Sequence, residues 1–409
     1  MQKLLLLTGL LLLACGSFFF SPAPTGQADE EYWGTYAQVN SRMGFVINGD
    51  TREYIAAARE PARLLQEKEV RQSRPLYILL GSGLGYALQP VLGSINVADT
   101  WGGIAAESPD FLGFYAGYVL LNFVVLLASL YLFVRIGELL AEGPTDKIVL
   151  YGLGWFLVSN PITKAFFWTA HQQMFAFFTP LLYLYGLLRY RTVVLSWRQS
   201  LGWALGLGAL ALVYGNFVLG LPCLLYQLLT YRARYSTPVL LGRMLAATAC
   251  FVLPTFAWIG LLKLYGVTYY NQEAVRFHQF TWMLDAWRES PGTFFSTLST
   301  NLLTFWTNLG TIQGFLLAAL LLGGLQRWRG LKAPAGVWPV LGFVFLLFFA
   351  FYALIGYYPE RLTFTLVPIL LCVLALLLLR RPLPYQRLLV LLAALSWHWY
   401  VVSSYGPFS

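Results

Sequence analysis

The chain has 409 residues, of which 58% are hydrophobic and 11% are charged. Soluble domains carry about 25% charged residues, so this composition excludes an ordinary soluble enzyme and indicates lipid as the main solvent. The net charge of +9 does not indicate nucleic-acid binding, because many basic residues stand at the ends of apolar runs. Chains that cross lipid must pair their backbone groups internally, and no alternating barrel pattern occurs here. The predicted fold is therefore an all-α polytopic membrane protein.

The N-terminal stretch "MQKLLLLTGLLLLACGSFFFSPAPTGQA" has a basic start followed by an apolar run. Such a stretch is either a cleaved signal peptide or a first membrane helix with a cytoplasmic N-terminus, and we favour the membrane helix. Both alternatives place the residues that follow on the outer face. The four cysteines all lie in apolar segments, a distribution that does not indicate a disulfide framework.

Further apolar segments bring the predicted number of membrane helices to about eleven. They lie near residues 112–138, 148–160, 165–188, 201–214, 216–231, 238–264, 298–325, 336–357, 362–379 and 388–403. The glycine-rich stretch 201–231 could also be one broken helix. Basic residues concentrate in the loops after even-numbered helices and acidic residues in the other loops, which places the basic loops in the cytoplasm. The whole chain, residues 1–409, is predicted to be one multi-pass domain of the cell (inner) membrane.

Two predicted external loops are long, the first covering about residues 21–111 and the second about residues 265–297. The first loop contains a predicted helix at 51–60, and Pro61 is predicted to begin a second helix that ends near Val70. Residues 76–93 are apolar enough to span the membrane, but a crossing there would reverse every later loop. We therefore predict a membrane-lying or re-entrant helix on the outer face.

Motifs of soluble enzymes do not occur in the sequence: there is no phosphate-binding loop, no HExxH and no CxxC pair. The three histidines are too scattered to suggest a metal cage, and no Asp-x-Asp pair supports a metal-bound sugar nucleotide. A divalent metal is possible but unsupported. We therefore predict no cofactor.

The first external loop contains "NGDTREYIAAAREP" and, further along, "SRPLYILLG". These motifs resemble the first loop of GT-C integral membrane glycosyltransferases, in which an acidic residue precedes an Arg-Pro-(Leu/Pro)-Tyr stretch. Near the C-terminus, "YYPERLTFTLVPILL" is similar to a Tyr-x-x-Arg stretch before a late membrane helix of that family. The matching positions are Gly49, Asp50, Tyr54, Arg74, Pro75, Leu76, Tyr77 and Arg361.

The resemblance implies transfer of a sugar from a polyprenyl-phosphate or polyprenyl-diphosphate carrier to a glycan, lipid or protein acceptor at the outer face. It implies Asp50 as the general base or as the group that orients the acceptor hydroxyl. A carboxylate suits this task, because it stabilises positive charge at the anomeric carbon and accepts the acceptor's proton. The implied partners are the lipid-linked donor and membrane lipids, and no nucleic acid.

The departing lipid phosphate needs cations, so Arg361, Arg74 and Lys164 are predicted phosphate ligands in that order. Arg361 could instead extend to the interface from a helix end. The other residues predicted to bind substrate are Tyr54, Tyr77, His171 and His278.

Local sequence offers a second interpretation of Asp50, as the N-cap of its helix with Glu53 closing a capping box. Asp29 and Glu30 are the alternative acidic pair, because some relatives carry such a pair soon after the first membrane helix. We rank Asp50 first, because the Arg-Pro-Leu-Tyr stretch follows it at a distance similar to that in the family.

Two other functional classes stay open. A transporter or flippase of lipid-linked sugars would have ionisable groups in mid-membrane and often an internal repeat, whereas most charges here stand at helix ends. A polymerase or ligase of lipid-linked glycans would use the same substrates but usually depends on arginine-rich outer loops.

Overall fold

The computed structural model of the protein describes residues 2–22, 34–40, 42–93, 110–141, 143–330 and 336–404. Within these ranges the chain is mainly helical, and β1 (Thr35–Asn40) pairs with β2 (Met43–Ile47) in an antiparallel hairpin. The helices are α1 (Gln2–Ser17), α2 (Asp50–Arg59), α3 (Pro75–Leu92), α4 (Phe111–Ala141), α5 (Lys147–Val158), α6 (Pro161–Phe166), α7 (Phe175–Arg189), α8 (Trp197–Ala211), α9 (Gly220–Thr230), α10 (Thr237–Leu264), α11 (Gln272–Val275), α12 (Thr281–Glu289), α13 (Pro291–Asn308), α14 (Gln313–Trp328), α15 (Val337–Leu354), α16 (Val367–Arg380) and α17 (Gln386–Ser403). Short 3₁₀ helices cover Phe18–Phe20, Pro61–Leu65, Gln172–Met174, Gly215–Leu219, Arg232–Arg234, Leu309–Ile312 and Glu360–Leu366.

Seven helical stretches within the described residues are long and apolar enough to cross a membrane. They are Gln2–Phe20, Pro75–Leu92, Phe111–Ala141, Thr237–Leu264, Pro291–Trp328, Val337–Leu354 and Glu360–Arg380, and the apolar stretches Lys147–Val158 and Gly215–Thr230 are shorter. This composition agrees with the predicted class of helical membrane protein. The predicted count of eleven membrane helices stays a prediction.

The β-hairpin was not predicted from the sequence. Thr35 faces Ile47 and Tyr36 faces Val46 across the two strands. Phe45 on β2 packs edge-on against Phe19, with 5.4 Å between ring centroids. The hairpin therefore attaches the start of α2 to the end of the N-terminal helical stretch.

Helix α3 packs antiparallel against the first turns of α4, since Gly81 lies against Tyr118 and Gly85 against Phe114. A side chain at Gly81 would overlap the Tyr118 ring, with 2.1 Å between the added Cβ and the nearest ring carbon, so glycine permits this close approach. Tyr54 of α2 packs on the same aromatic cluster. The structure thus has a helix where a membrane-lying or re-entrant one was predicted. Its orientation to the membrane stays a prediction.

The predicted second helix from Pro61 to Val70 is wrong beyond its first turn. A 3₁₀ helix ends at Leu65, and Lys68 adopts a left-handed conformation with φ 59°. The Gln72 amide donates to the carbonyl oxygens of Leu64 and Gln66, at 3.1 and 2.8 Å. The side chain thereby occupies acceptors that a continuing helix would pair with its own backbone. The chain turns back instead and brings residues 71–74 beside α2.

The short helix α6 begins with two residue types that are common at helix starts. Asn160 precedes Pro161 and caps the helix, its side-chain oxygen accepting from the Thr163 amide at 2.9 Å. Asn122 of α4 donates to the carbonyl oxygens of Phe167 and Thr169, at 3.0 and 2.8 Å. These bonds satisfy backbone groups after α6 and hold residues 167–169 against α4. The Ala170 amide donates to the Thr51 hydroxyl at 3.2 Å and so ties the same stretch to α2.

Residues 265–290, which we name the second connecting segment, fold over the same end of the bundle. The Phe280 amide donates to the Ile355 carbonyl oxygen, and the Trp282 indole donates to the Leu354 carbonyl oxygen, both at 3.0 Å. On its other side, the Tyr270 amide donates to the Gln72 side-chain oxygen at 2.8 Å. Three separate parts of the chain, near residues 72, 270 and 355, therefore meet at one place.

The opposite end of α4 carries a different set of ion pairs. Lys3 contacts Glu138 at 2.6 Å, and the Arg387 guanidinium contacts Asp146 at 2.8 Å. These pairs tie α1 and α17 to the far end of α4 and to its neighbour α5. The structure therefore has two polar ends separated by apolar helices.

Candidate functional site

A cavity of about 420 Å³ opens where α2, the residues after α6, the second connecting segment and the residues after α15 meet. Its polar lining contains a group of charged and amide side chains, together with several aromatic rings. The charged members are Asp50, Glu53, Glu273, Arg71, Arg74, Arg276 and Arg361, and the histidine is His171. The cavity thus combines Asp50, Arg74, His171 and Arg361, four residues that the sequence predicted as a site.

Asp50 does not act as the helix cap. Its own amide is capped by the Asn48 side-chain oxygen at 3.0 Å, and Gly49 occupies the N-cap position. The Asp50 carboxylate contacts Arg71 at 2.8 Å and His171 at 3.3 Å, and the side chain is 41% exposed. The capping interpretation is therefore wrong, since within the described residues the carboxylate binds side chains and faces the cavity.

Arg71, which sequence reasoning missed, binds the acids of α2. Its guanidinium contacts Glu53 at 2.5 Å as well as Asp50, lies 4.2 Å from the centre of the Tyr54 ring and is 5% exposed. Partial burial alone would raise the pKa of Asp50. The hydrogen bond from His171 and the charge of Arg71 outweigh it and hold that pKa well below its usual range. Asp50 is therefore ionised at neutral pH.

His171 is an uncharged donor to Asp50. Its Nδ1 atom accepts from the Gln173 amide at 3.1 Å, which assigns the ring hydrogen to Nε2, the atom that faces Asp50. Burial is the main cause that lowers the pKa of His171 to about 4, and the positive charges of Arg361 and Arg74 add to it. Asp50 opposes this shift only in part. The ring therefore orients the carboxylate without adding charge.

Tyr54 and Arg74 lie side by side below this pair. Arg74 donates to the Tyr54 hydroxyl at 3.0 Å and forms an ion pair with Glu273 of α11. The side-chain amide of Gln172 contacts the Tyr54 hydroxyl at 2.5 Å. When the NH₂ group of this amide faces Tyr54, the amide oxygen accepts a hydrogen bond from Arg74. Arg74 thus joins α2 to the second connecting segment and has a carboxylate partner already.

Two further arginines of the cavity form no salt bridge with the residues that the structure describes. The Arg361 guanidinium lies 5.6 Å from the centre of the Phe166 ring, and that of Arg276 lies 5.6 Å from the Phe277 ring. The Phe277 ring stacks on Tyr357 at 4.6 Å. These cations are therefore available to an anionic ligand.

Four residues predicted to bind substrate lie outside the cavity lining, and the first is Tyr54, which is fully buried. Tyr77 is fully buried and packs edge-on under Tyr54, with 5.1 Å between ring centroids. Lys164 donates to the carbonyl oxygens of Val401 and Ser404, and so holds the end of α17. Burial is the cause that lowers the pKa of Lys164 to about 8.

His278 is the fourth of these residues, and it does not line the cavity. Its backbone is left-handed with φ 49°, and its ring is 66% exposed and lies 3.8 Å from Asp285. The alternative acidic pair, Asp29 and Glu30, lies outside the described residues.

Sequence reasoning missed Arg71, Glu273 and Arg276. Arg71 stands three residues before Arg74 in a basic stretch that follows an acidic helix, and this spacing was the available signal. Gln173 lines the cavity, and its buried Nε2 atom has no hydrogen-bond partner in the part of the chain that the structure describes. Such a donor is suited to an oxygen of a bound ligand.

The donor set does not favour a metal. No group of three or more His, Cys, Asp or Glu side chains within the described ranges could hold a metal ion. The carboxylates of the cavity already face arginines, and the cations that lack such partners attract anions instead. The chemistry of the cavity is therefore that of a site for an anionic ligand with a carboxylate at its other end.

Comparison with known proteins adds no relative. No protein-family model matches the chain, and neither the curated proteins nor the solved structures include a match.

Proposed function

We propose that the protein is a GT-C-type membrane glycosyltransferase that moves a sugar from a polyprenyl-phosphate or polyprenyl-diphosphate carrier to an acceptor at the outer face of the cell membrane. The observation that carries this proposal is the shared cavity. It is lined by the half-exposed Asp50 carboxylate and by the Arg361 guanidinium, which forms no salt bridge with a described residue. Sugar transfer from a lipid phosphate needs a carboxylate for the acceptor hydroxyl and a cation for the leaving phosphate.

Asp50 is the proposed acceptor-binding group. Arg71 and His171 each contact one of its oxygens, yet a carboxylate has about four lone-pair sites, so part of its capacity faces the cavity. Because its pKa is depressed, it stays ionised and stabilises the positive charge that develops at the anomeric carbon. It takes the hydroxyl proton as the new bond forms, when that proton has become acidic.

Arg361 is the proposed ligand of the leaving phosphate. A phosphate departs without protonation if its growing negative charge is neutralised, and a guanidinium presents two parallel donors to two phosphate oxygens. Arg74 is a weaker candidate than the sequence suggested, because Glu273 already neutralises it. Its proposed role is to position Tyr54 and α11.

The outer location of the cavity is supported by the distribution of charges. The loops rich in Lys and Arg lie at the end of the bundle opposite the cavity. This is the end where Asp146 contacts Arg387 and Lys3 contacts Glu138. Helix α3 packs antiparallel against the first turns of α4, and its placement as a membrane-lying or re-entrant helix on the outer face is part of the proposal. The proposed orientation has a cytoplasmic N-terminus.

The experiment that tests the function uses the protein in vesicles that contain total lipid-linked sugars extracted from the expressing cells. Mass spectrometry measures the sugar-free polyprenyl phosphate or diphosphate that is released. We expect the Asp50→Asn variant to lose at least about a hundredfold in rate, the typical contribution of a positioned acid or base. Asp285→Asn is the matched control, since Asp285 is an exposed carboxylate outside the cavity. Full turnover by folded Asp50→Asn protein would contradict the proposal, as would movement of intact carriers across the bilayer without cleavage.

A further inference from the structure

Two cations face one cavity from two parts of the chain, and neither has a carboxylate partner among the described residues. Arg276 follows α11, and Arg361 lies in the 3₁₀ helix Glu360–Leu366. The stacked rings of Phe277 and Tyr357 join these two parts, and the backbone bond from Phe280 to Ile355 fixes their relative position. The two guanidinium groups are therefore held on one side of the cavity.

The other charged side chains of the cavity form salt bridges among themselves and not with this pair. Arg71 and Arg74, two cations, are matched by the three carboxylates of Asp50, Glu53 and Glu273. That half of the cavity is already compensated, with one negative charge in excess. The side formed by Arg276 and Arg361 has two positive charges that no described residue compensates within salt-bridge distance.

We propose that the sugar donor is carried on a polyprenyl diphosphate and not on a monophosphate, an inference that rests on the proposed function. A phosphate that links a sugar to a lipid has one negative charge, whereas the corresponding diphosphate has two. Two unpaired guanidinium groups match the diphosphate, and the monophosphate would leave one of them uncompensated in the bound state.

The two arginines take different phosphates. Arg361 lies 5.6 Å from the centre of the Phe166 ring, and that ring packs on His171, the partner of Asp50, with 4.8 Å between centroids, so Arg361 is near the reacting end of the cavity. It binds the phosphate that is bonded to the sugar. Arg276, which also lines the cavity and is more exposed than Arg361, binds the phosphate that is bonded to the lipid.

The reaction then balances as follows for an acceptor hydroxyl. Its oxygen forms the bond to the anomeric carbon, and the bond between that carbon and the phosphate oxygen breaks, with both electrons leaving on the phosphate. The hydroxyl proton passes to Asp50 and then to water. The lipid diphosphate gains one negative charge, which the two guanidinium groups hold.

The test measures binding of two probes to the full-length protein in lipid nanodiscs. Farnesyl methyl phosphate has one negative charge, farnesyl methyl diphosphate has two, and the methyl group takes the place of the sugar in both. We expect the wild-type protein to bind the diphosphate probe about tenfold or more tightly, the effect of one added charged hydrogen bond. Arg276→Gln should abolish this preference and leave monophosphate binding unchanged, whereas Arg361→Gln should weaken both probes. Arg288→Gln, a 77% exposed arginine outside the cavity, is the control.

Other outcomes overturn the inference in distinguishable ways. Equal binding of the two probes, with both weakened by Arg361→Gln, would assign a monophosphate donor and leave the proposed function standing. Equal weakening of both probes by Arg276→Gln would show that Arg276 does not discriminate between them. Failure of both probes to bind the folded wild-type protein would contradict the inference and the proposed function together.

Discussion

Replacing His171 by glutamine should remove a large part of the acid sensitivity of the fold. The pKa of His171 is about 4 in the folded protein and 6.5 in its ordinary environment. Between these values the unfolded chain binds a proton that the folded chain excludes, so stability is lost as the pH falls from about 6.5 towards 4. The difference corresponds to about 3 kcal/mol in full, and to about 2 kcal/mol between pH 7 and pH 5. Glutamine keeps an N–H donor near Asp50 but does not titrate.

The assay is denaturant-induced unfolding of the two proteins in the same detergent at pH 7 and pH 5, followed by tryptophan fluorescence. The wild-type protein should lose about 2 kcal/mol more than His171→Gln between these pH values. Comparing the two proteins cancels the contribution of the other titrating groups. The same pH dependence in both would refute the assignment of a buried, neutral imidazole at this position.

Two further substitutions test the neighbours of Asp50 and the second connecting segment. Arg71→Gln removes the cation beside Asp50, so the pKa of Asp50 should rise. The acidic limb of the pH profile of carrier turnover should then move to higher pH by about one unit or more. An unchanged pH profile would argue against a functional contact between Arg71 and Asp50. Gly356→Ala should destabilise the protein by about 2–4 kcal/mol, because φ is +78° and the added Cβ would lie 2.2 Å from the Trp282 ring. Gly342→Ala, which meets no atom within 4 Å, is the control and should unfold like the wild-type protein; equal stability of the two variants would refute the strain argument.

The parts of the fold that depend on composition could be predicted from the sequence. Long apolar stretches form helices because lipid cannot pair with their backbone groups, and this constraint acts on each stretch independently of the rest of the chain. The start of α6 was not predicted, although Asn160 and Pro161 carry a local capping signal for it. The β-hairpin was less visible, because its two strands are short and their partner is the end of the N-terminal helical stretch.

The candidate site was predictable only where a local motif indicated it. Asp50 and Arg361 belong to such motifs, and they do line one cavity. Arg71 was missed because its role depends on a turn created by Gln72, which pairs with backbone carbonyls. Lys164 was assigned to substrate because the sequence could not show that the distant end of α17 would supply its partners.

The charge balance of the cavity depends entirely on contacts between distant parts of the chain. Glu273 neutralises Arg74 although about two hundred residues separate them, and no periodicity records such a pairing. The sequence likewise does not distinguish Arg276 from the other arginines. Only the structure shows that no described carboxylate faces it.

The most direct test of the account identifies the lipid that the protein binds. Wild-type, Asp50→Asn and Arg361→Gln proteins, each purified from the expressing membranes in mild detergent, are examined by native mass spectrometry, and the released ligand is fragmented. We expect a polyprenyl carrier with an attached sugar, enriched in Asp50→Asn because transfer is blocked and lost in Arg361→Gln because its phosphate ligand is missing. Recovery of ordinary phospholipids alone from all three proteins would contradict the proposed function.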